Sequence, residues 1–328
     1  MKISSITDIV EGELLNTPSI SFVYHIKTNP RRVNEGDLFI AKNSKDLQLA
    51  IDNGAFGVVY DFETSISDKE IAWIKVDSYS NALVRLFRFH LSHFDLNVFY
   101  CDDVTFELLQ IYKSLNKNLK FLTSNLEDSV KILENIEAND ILVSTNKEVL
   151  DKIYPNNVNF KEDDHRIENL TSHSLFETSF SYDGAYFFKV KTSELYLQQF
   201  LDVYNFYNQE LDFSKIKNFS CFKPVFVDRF INVIDFGKSD KFLIPQKNKS
   251  LVDDEIAYIK KRYKYARTIF ITTEYIDSLG KDQYIVSSLK NLKEVLKAQK
   301  FNCAYIVGFD FTKVESALVK SMHEMTLL

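Results

Sequence analysis

The sequence predicts an α/β protein of three regions, on three observations. Short apolar strands alternate with amphipathic helical stretches from residue 20 to 153, and again from 241 to 309. The alternation is interrupted once, by two period-two strands around Asp183-Gly184, a pair suited to a type I′ hairpin turn. The chain has 328 residues, 45% of them apolar, enough to bury several cores and to form two or three domains.

The elements justify that reading in order. In residues 1–90, Ile6–Leu15 has helical periodicity and Ile20–Ile26 reads as a strand. Glu35-Gly36-Asp37 turns into the buried strand Leu38–Ala41, and a helix over Lys45–Asn53 is stopped by Gly54. Strands Phe56–Tyr60 and Ile71–Val76 and a helix Asn81–His93 complete this region. Residues 91–222 continue with strands Leu96–Cys101, Leu119–Thr123 and Asp140–Ser144. Helices Val104–Leu115, Asp128–Ile136 and Lys147–Ile153 lie between and after them. The hairpin Leu175–Tyr182 with Ala185–Lys191 follows, then an aromatic-rich helix Glu194–Asn208. In residues 223–328, Arg229–Phe236 and Lys241–Ile244 read as strands. Asp253–Arg267 is a helix with acidic residues first and basic ones last, as its macrodipole favours. Strands Thr268–Thr272 and Ala304–Phe309 enclose a helix Ser287–Gln299, a doubly wound lobe.

Composition narrows the function classes. The net charge of −6 argues against a broad nucleic-acid footprint. No apolar stretch approaches the roughly 18 residues of a membrane helix, and the N-terminus lacks a signal-peptide core, so a cytoplasmic address is expected. Cys101, Cys221 and Cys303 are widely spaced and odd in number, as suits a reducing compartment. Glycine occurs eight times, and none lies between Gly57 and Gly184, so no glycine-rich phosphate cradle can form there.

The sharpest motif is Thr28-Asn29-Pro30-Arg31-Arg32-Val33-Asn34-Glu35-Gly36-Asp37-Leu38-Phe39-Ile40-Ala41. Ile51-Asp52-Asn53-Gly54-Ala55-Phe56-Gly57-Val58-Val59 follows, then Val76-Asp77-Ser78-Tyr79-Ser80-Asn81-Ala82-Leu83-Val84-Arg85-Leu86. In order and spacing these resemble the Mur ligase N-terminal signature T-D-S-R-x-V-x-x-G-D-L-F-V-A and the two elements after it. The likeness is closest to the enzymes that add the diamino acid or D-alanyl-D-alanine to UDP-N-acetylmuramoyl peptides. It continues more weakly through Ser174–Lys191, similar to a hairpin late in the family's central domain. Phe222-Lys223-Pro224-Val225-Phe226-Val227-Asp228-Arg229-Phe230 is similar to F-x-P-x-x-G-R-M, and Ala304-Tyr305-Ile306-Val307-Gly308 to a terminal strand. The resemblance implies a three-domain architecture with a truncated central domain: 1–90 N-terminal-like, 91–222 reduced central, 223–328 C-terminal.

The departures fall on the family's ATP chemistry. Where its phosphate loop G-x-x-G-K-T/S belongs, this chain has Cys101-Asp102-Asp103-Val104-Thr105-Phe106-Glu107, which supplies neither glycine-freed N–H groups nor a lysine. The stretch that would carry a magnesium-binding glutamate and histidine is compressed into Asn118–Val143, without histidine. Phe242-Leu243-Ile244 aligns with the family's aspartate pair, and Asp228 replaces a glycine beside Arg229. The expectation is a catalytically degenerate homologue with no catalytic residues, metal or cofactor. It would bind a UDP-N-acetylmuramoyl-peptide-like ligand or a peptidoglycan-synthesis protein. Two alternatives stay open: an active ligase using ATP and magnesium through an unconventional site, and a pure interaction scaffold.

Candidate binding residues follow from the resemblance. Thr28, Asn29 and Arg31 lie in the loop that in the family holds the uridine diphosphate, and arginine's fork suits a diphosphate. Arg229 would be a remnant of the nucleotide site. Outside the resemblance, His90, His93 and Asp95 could hold a metal or simply end a helix. Glu162-Asp163-Asp164-His165 could bind a cation or form a solvated loop. Lys260-Lys261-Arg262 could meet an anion or line a wet helix face. Tyr196, Phe200, Tyr204, Phe206 and Tyr207 could pack a core or meet a partner.

Overall fold

The computed structural model describes residues 1–123, 125–160 and 164–323, the last four of these by backbone alone. Contacts group the chain into two compact units, Met1–Phe106 with Lys113–Glu162, and Glu107–Tyr112 with Asp163–Leu328.

The first unit opens with α1 (Ile3–Val10), β1 (Glu13–Leu14), β2 (Ile26–Lys27), β3 (Leu38–Ala41), α2 (Ser44–Asp52), β4 (Gly57–Tyr60), β5 (Ala72–Lys75) and α3 (Tyr79–Leu91). Its sheet has the order β1-β5-β4-β3-β2, parallel except for β1. A second sheet comes from β6 (Asn97–Tyr100), β7 (Leu119–Leu122), β8 (Ile141–Ser144) and β9 (Val158–Asn159), all parallel in the order β7-β8-β6-β9. The helices of this part are α5 (Leu126–Glu134), α6 (Lys147–Ile153) and the start of α4 (Asp103–Ile111), whose residues from Glu107 on belong to the second unit. Short polar residues start several of these helices by accepting a backbone N–H: Asn43 from Asp46, Asn125 from Glu127 and Asn146 from Val149, at 3.0–3.1 Å.

One continuous core runs from Ile3 to Ile153. It joins Ile6 and Val10 of α1, Leu83, Leu86 and Leu91 of α3, Val130 and Leu133 of α5, and Leu150 and Ile153 of α6. The chain position near residue 90, expected as a domain boundary, lies inside this shared core. Two expected elements are shorter than their periodicity suggested. The first helix stops at Val10 because Glu11 turns left-handed (φ 51°) and Gly12 lies so close to β5 that a Cβ would meet Lys75 O at 2.8 Å. The strand expected over Ile20–Ile26 shrinks to β2 and one bridge, Lys2 to Phe22.

The second unit holds an antiparallel sheet of β10 (Glu168–Ser174), β11 (Glu177–Tyr182) and β12 (Ala185–Val190). Asp183 and Gly184 have φ of 48° and 76°, as the expected type I′ turn requires. The fully exposed β10 was not anticipated, since it lacks an apolar face. The aromatic helix is α7 (Leu197–Phe206), whose Phe200 and Tyr204 are buried, as are the flanking Tyr196 and Tyr207. These rings are core.

A mixed sheet follows, built from β13 (Val225–Phe226), β14 (Phe242–Gln246), β15 (Thr268–Thr272), β16 (Gln283–Ile285) and β17 (Cys303–Val307). Helices α8 (Val252–Arg262), α9 (Leu292–Lys297) and α10 (Phe311–His323) accompany it. Its order is β13-β14-β17-β15-β16, with β13 the antiparallel edge. The strand expected at Arg229–Phe236 does not form. Asp228 Oδ1 accepts the N–H of Phe230 and of Asn232 at 2.8 and 2.9 Å, and Ile231 adopts φ 63°, which winds the segment into a turn.

A fully buried carboxylate, Glu255, ties α8 to this lobe. Tyr196 and Tyr305 each donate a hydroxyl to it at 2.5 Å, and Gln246 Nε2 donates at 2.7 Å. Burial nevertheless pushes its carboxyl up to about 7 from 4.5, the three donors offsetting only part of that cost.

Two outcomes follow. Leu86→Ala should lower the unfolding free energy of the first unit by about 2–5 kcal/mol, read from the fluorescence of its buried Trp73. Because the shared core is one body, that signal should fall in a single transition. For Glu255, the folded state holds its proton to higher pH than the unfolded chain does. Its contribution is full below about pH 4.5 and is lost as pH rises through about 7. Glu255→Gln should therefore remove roughly 3 kcal/mol of stability loss between pH 4.5 and 8. Denaturant midpoints of both proteins across that range are the measurement, and parallel curves would contradict it.

Candidate ligand-binding sites

The loop that carries Thr28, Asn29 and Arg31 leaves β2 at the carboxyl end of the first sheet. Pro30–Arg32 forms a 3₁₀ turn, capped where Asn29 Oδ1 accepts Arg31 N–H at 3.1 Å. Asn53, just beyond α2, donates its amide to Pro30 O at 2.9 Å. Buried Asp37 accepts Asn34 N–H at 2.9 Å and closes the next turn. Gly36 has φ 95° and lies against Tyr24, whose ring would be 2.3 Å from a Cβ. The backbone is thus held at both ends of the loop.

The charges around it are unequal. Lys27 pairs with Glu134 at 2.9 Å and Lys42 with Glu127 at 3.1 Å. Burial raises the Glu134 carboxyl, and Lys27 opposes that shift. Arg31 and Arg32 are exposed and make no ion pair among the described residues. Thr28 is half-buried beside them, and Asn29 is exposed with its oxygen committed to the cap. The three expected residues therefore share one loop, and its two arginines present unneutralised guanidinium groups.

The turn from β6 into α4 has a different character. Cys101 is buried, and burial, with Asp102 and Asp103 adding to it, drives its thiol far above the usual range. Asp102 Oδ1 accepts Thr105 N–H at 2.7 Å, while Phe106 N–H bonds to Asp102 O. Phe106 packs edge-on to Phe121. A helix N-terminus ordinarily attracts anions through its N–H groups and dipole. Here the chain supplies its own carboxylate to that end.

Other sequence candidates are dispersed. Arg229 is exposed, its guanidinium 4.6 Å from the Phe230 ring centre. His90 is half-buried, whereas His93 turns its Nδ1 to Phe89 O. Among the described residues no group of three His, Cys, Asp or Glu is placed to hold a metal. Glu162 and Asp163 lie outside the described residues. His165 differs from a solvated loop residue: it is buried, and its Nε2 lies 2.7 Å from Asp202 Oδ1. Arg262 pairs with Glu194, while Lys260 and Lys261 face solvent.

Sequence reading missed a cavity of about 610 Å³ in the second unit, lined by Lys191, Lys217, Lys223, Thr192 and several phenylalanines. Its lysines come from three separate segments, two of them within stretches of family resemblance, Ser174–Lys191 and Phe222–Phe230.

These sheets and turns make up the multi-domain α/β fold of the Mur ligases. The chain is similar to the MurF ligase of Thermotoga maritima solved in complex with ADP, at 14% identity and a TM-score of 0.54, covering 92% of this chain and 99% of that one. It is equally similar to a MurF of Acinetobacter baumannii, at 11% identity and a TM-score of 0.54, covering 98% of each. A UDP-N-acetylmuramoylalanyl-D-glutamyl-2,6-diaminopimelate–D-alanyl-D-alanyl ligase structure from Acinetobacter baumannii gives 11% identity and 0.50, again over 98% of each. No protein-family model and no curated protein matches the chain. No described helix is long and apolar enough to cross a membrane.

The capping role of Asp102 has a measurable cost. Asp102→Ala should destabilise the first unit by about 0.5–2 kcal/mol, the usual loss for an N-terminal cap. A Trp73-monitored denaturation curve unchanged by the substitution would exclude that role.

Proposed function

We propose that this Mur-ligase-fold protein binds a UDP-N-acetylmuramoyl-peptide-like precursor, or a protein of peptidoglycan synthesis, without using ATP. The observation that carries the reading is the β6–α4 turn. A nucleotide's phosphates need glycine-freed N–H groups and a lysine there. This turn offers Cys101 and Asp102, with the Asp102 carboxylate already bonded to Thr105 N–H. An anion arriving at that helix end would meet Asp102 and Asp103 together. In the first sheet, by contrast, Arg31 stands unpaired on a braced loop beside half-buried Thr28, which supports diphosphate recognition at that place.

The alternatives differ in what they need. An active ligase requires a phosphate site somewhere other than this turn, with ATP and magnesium. A pure scaffold requires no small-molecule ligand. Calorimetric titration with Mg-ATP should show no binding below about 1 mM. Sub-millimolar affinity would favour the ligase. Titration with UDP-N-acetylmuramoyl tripeptide should show binding that Arg31→Ala weakens roughly ten- to a hundredfold, since a charge-assisted pair contributes about 1.5–3 kcal/mol. Asp102→Ala should leave that affinity nearly unchanged. A wild-type protein indifferent to the tripeptide would leave the scaffold as the reading.

A further inference from the structure

The cavity in the second unit has features of a small-molecule site that neither the fold nor the sequence motifs assign. Its volume, about 610 Å³, falls within the range of ligand pockets. Phe222 and Phe226 are buried within its wall, and Phe236 and Phe311 also line it. Over two of these rings stand lysine heads. Lys191 Nζ is 5.0 Å from the Phe236 ring centre, and Lys223 Nζ is 4.2 Å from that of Phe311. Lys223 also donates to Lys217 O at 2.7 Å, which fixes its ammonium in place while leaving further N–H donors.

Charge and hydrogen bonding narrow the ligand. Among the described residues, none of Lys191, Lys217 and Lys223 has a carboxylate within ion-pair distance. Asp235 and Glu315 line the cavity too, and Glu107, bonded to the lining Cys221, acts on Lys223, so three acids balance three lysines. Without surplus positive charge the wall disfavours a polyphosphate, while Lys191 and Lys223, free of ion pairs among the described residues, can face a single anionic group. Thr192 also lines the cavity, but its hydroxyl oxygen is itself enclosed by protein.

We infer that this cavity binds a planar aromatic monoanion. Its ring would lie among the phenylalanines, and its anionic group would face Lys191 and Lys223. This is a site separate from the Arg31 loop, and it stands or falls independently of the reading given above.

The test uses the full chain and naphthalene-2-carboxylate as probe, with naphthalene-2-carboxamide as its neutral counterpart. Fluorescence titration at pH 7 should give saturable 1:1 binding of the carboxylate with a dissociation constant below about 1 mM, and at least about tenfold weaker binding of the carboxamide. Lys191→Met and Lys223→Met should each weaken the carboxylate about tenfold. Lys260→Met, on the solvent face of α8, should change nothing. Circular dichroism of each variant establishes that it is folded, and exposed Lys191 provides a substitution that leaves the core intact. No saturable binding by the wild type, equal affinity for the two probes, or affinities unmoved in folded Lys191→Met would each overturn the inference.

Discussion

Helix α3 must satisfy two sheets at once. Tyr79, Ala82, Leu83, Leu86, Phe87 and Leu91 are all buried, so its polar strip is confined to Asn81, Arg85, Arg88 and their neighbours. It meets α1, β3 and β4 of the first sheet, and α5 and α6 of the second. Neither sheet closes its core alone, because each depends on a part of the same helix. Both candidate places in this unit, the Thr28–Val33 loop and the β6–α4 turn, sit at ends of strands in the sheets that α3 packs against. A substitution that loosens α3 would therefore reach the two places together, without touching either.

Much of the fold was legible because its strands are short and fully buried. Leu38–Ala41, Gly57–Tyr60 and Thr268–Thr272 are apolar runs with nowhere to go but the interior. Asn43, Asn125 and Asn146 cap helix starts by bonds to N–H groups two or three residues on, yet the sequence reading named none of them and began the helix at Asp128 rather than Leu126. The errors arose where a side chain bonds back to its own backbone. Asp228 converts a β-like pattern into a turn through contacts no periodicity can register. The exposed β10 was missed for the opposite reason. Its pairing with β11 is carried by backbone hydrogen bonds, which leave no mark on composition.

The candidate residues divide along the same line. Thr28, Asn29 and Arg31 lie within four positions of one another, and the glycines that shape their surroundings, Gly36 and Gly54, are visible as letters. Asp102 was visible as an acid at the start of α4, although its bond to Thr105 N–H was not. The lysine-and-phenylalanine cavity was invisible. Lys191 follows a hairpin, Lys217 ends a 3₁₀ turn, Lys223 precedes the edge strand β13, and Phe311 begins α10. Only tertiary folding brings those four segments to one wall.

The hairpin beside that wall carries a hazard of its own. β12 has a strand neighbour on one side only, and Tyr186 and Phe188 stand exposed on it. A straight, apolar edge of this kind would template a strand from another chain. Lys189 interrupts it, with φ 48° and its N–H taken by Ser179 Oγ at 2.9 Å, so the ladder bulges where the aromatics lie. A positive charge is thereby set at the break, its ammonium 5.6 Å from the Phe188 ring centre. A second copy pairing along this edge would have to accommodate that break. The break leaves two sticky rings at the surface while spoiling the regular backbone row on which a second copy would stack.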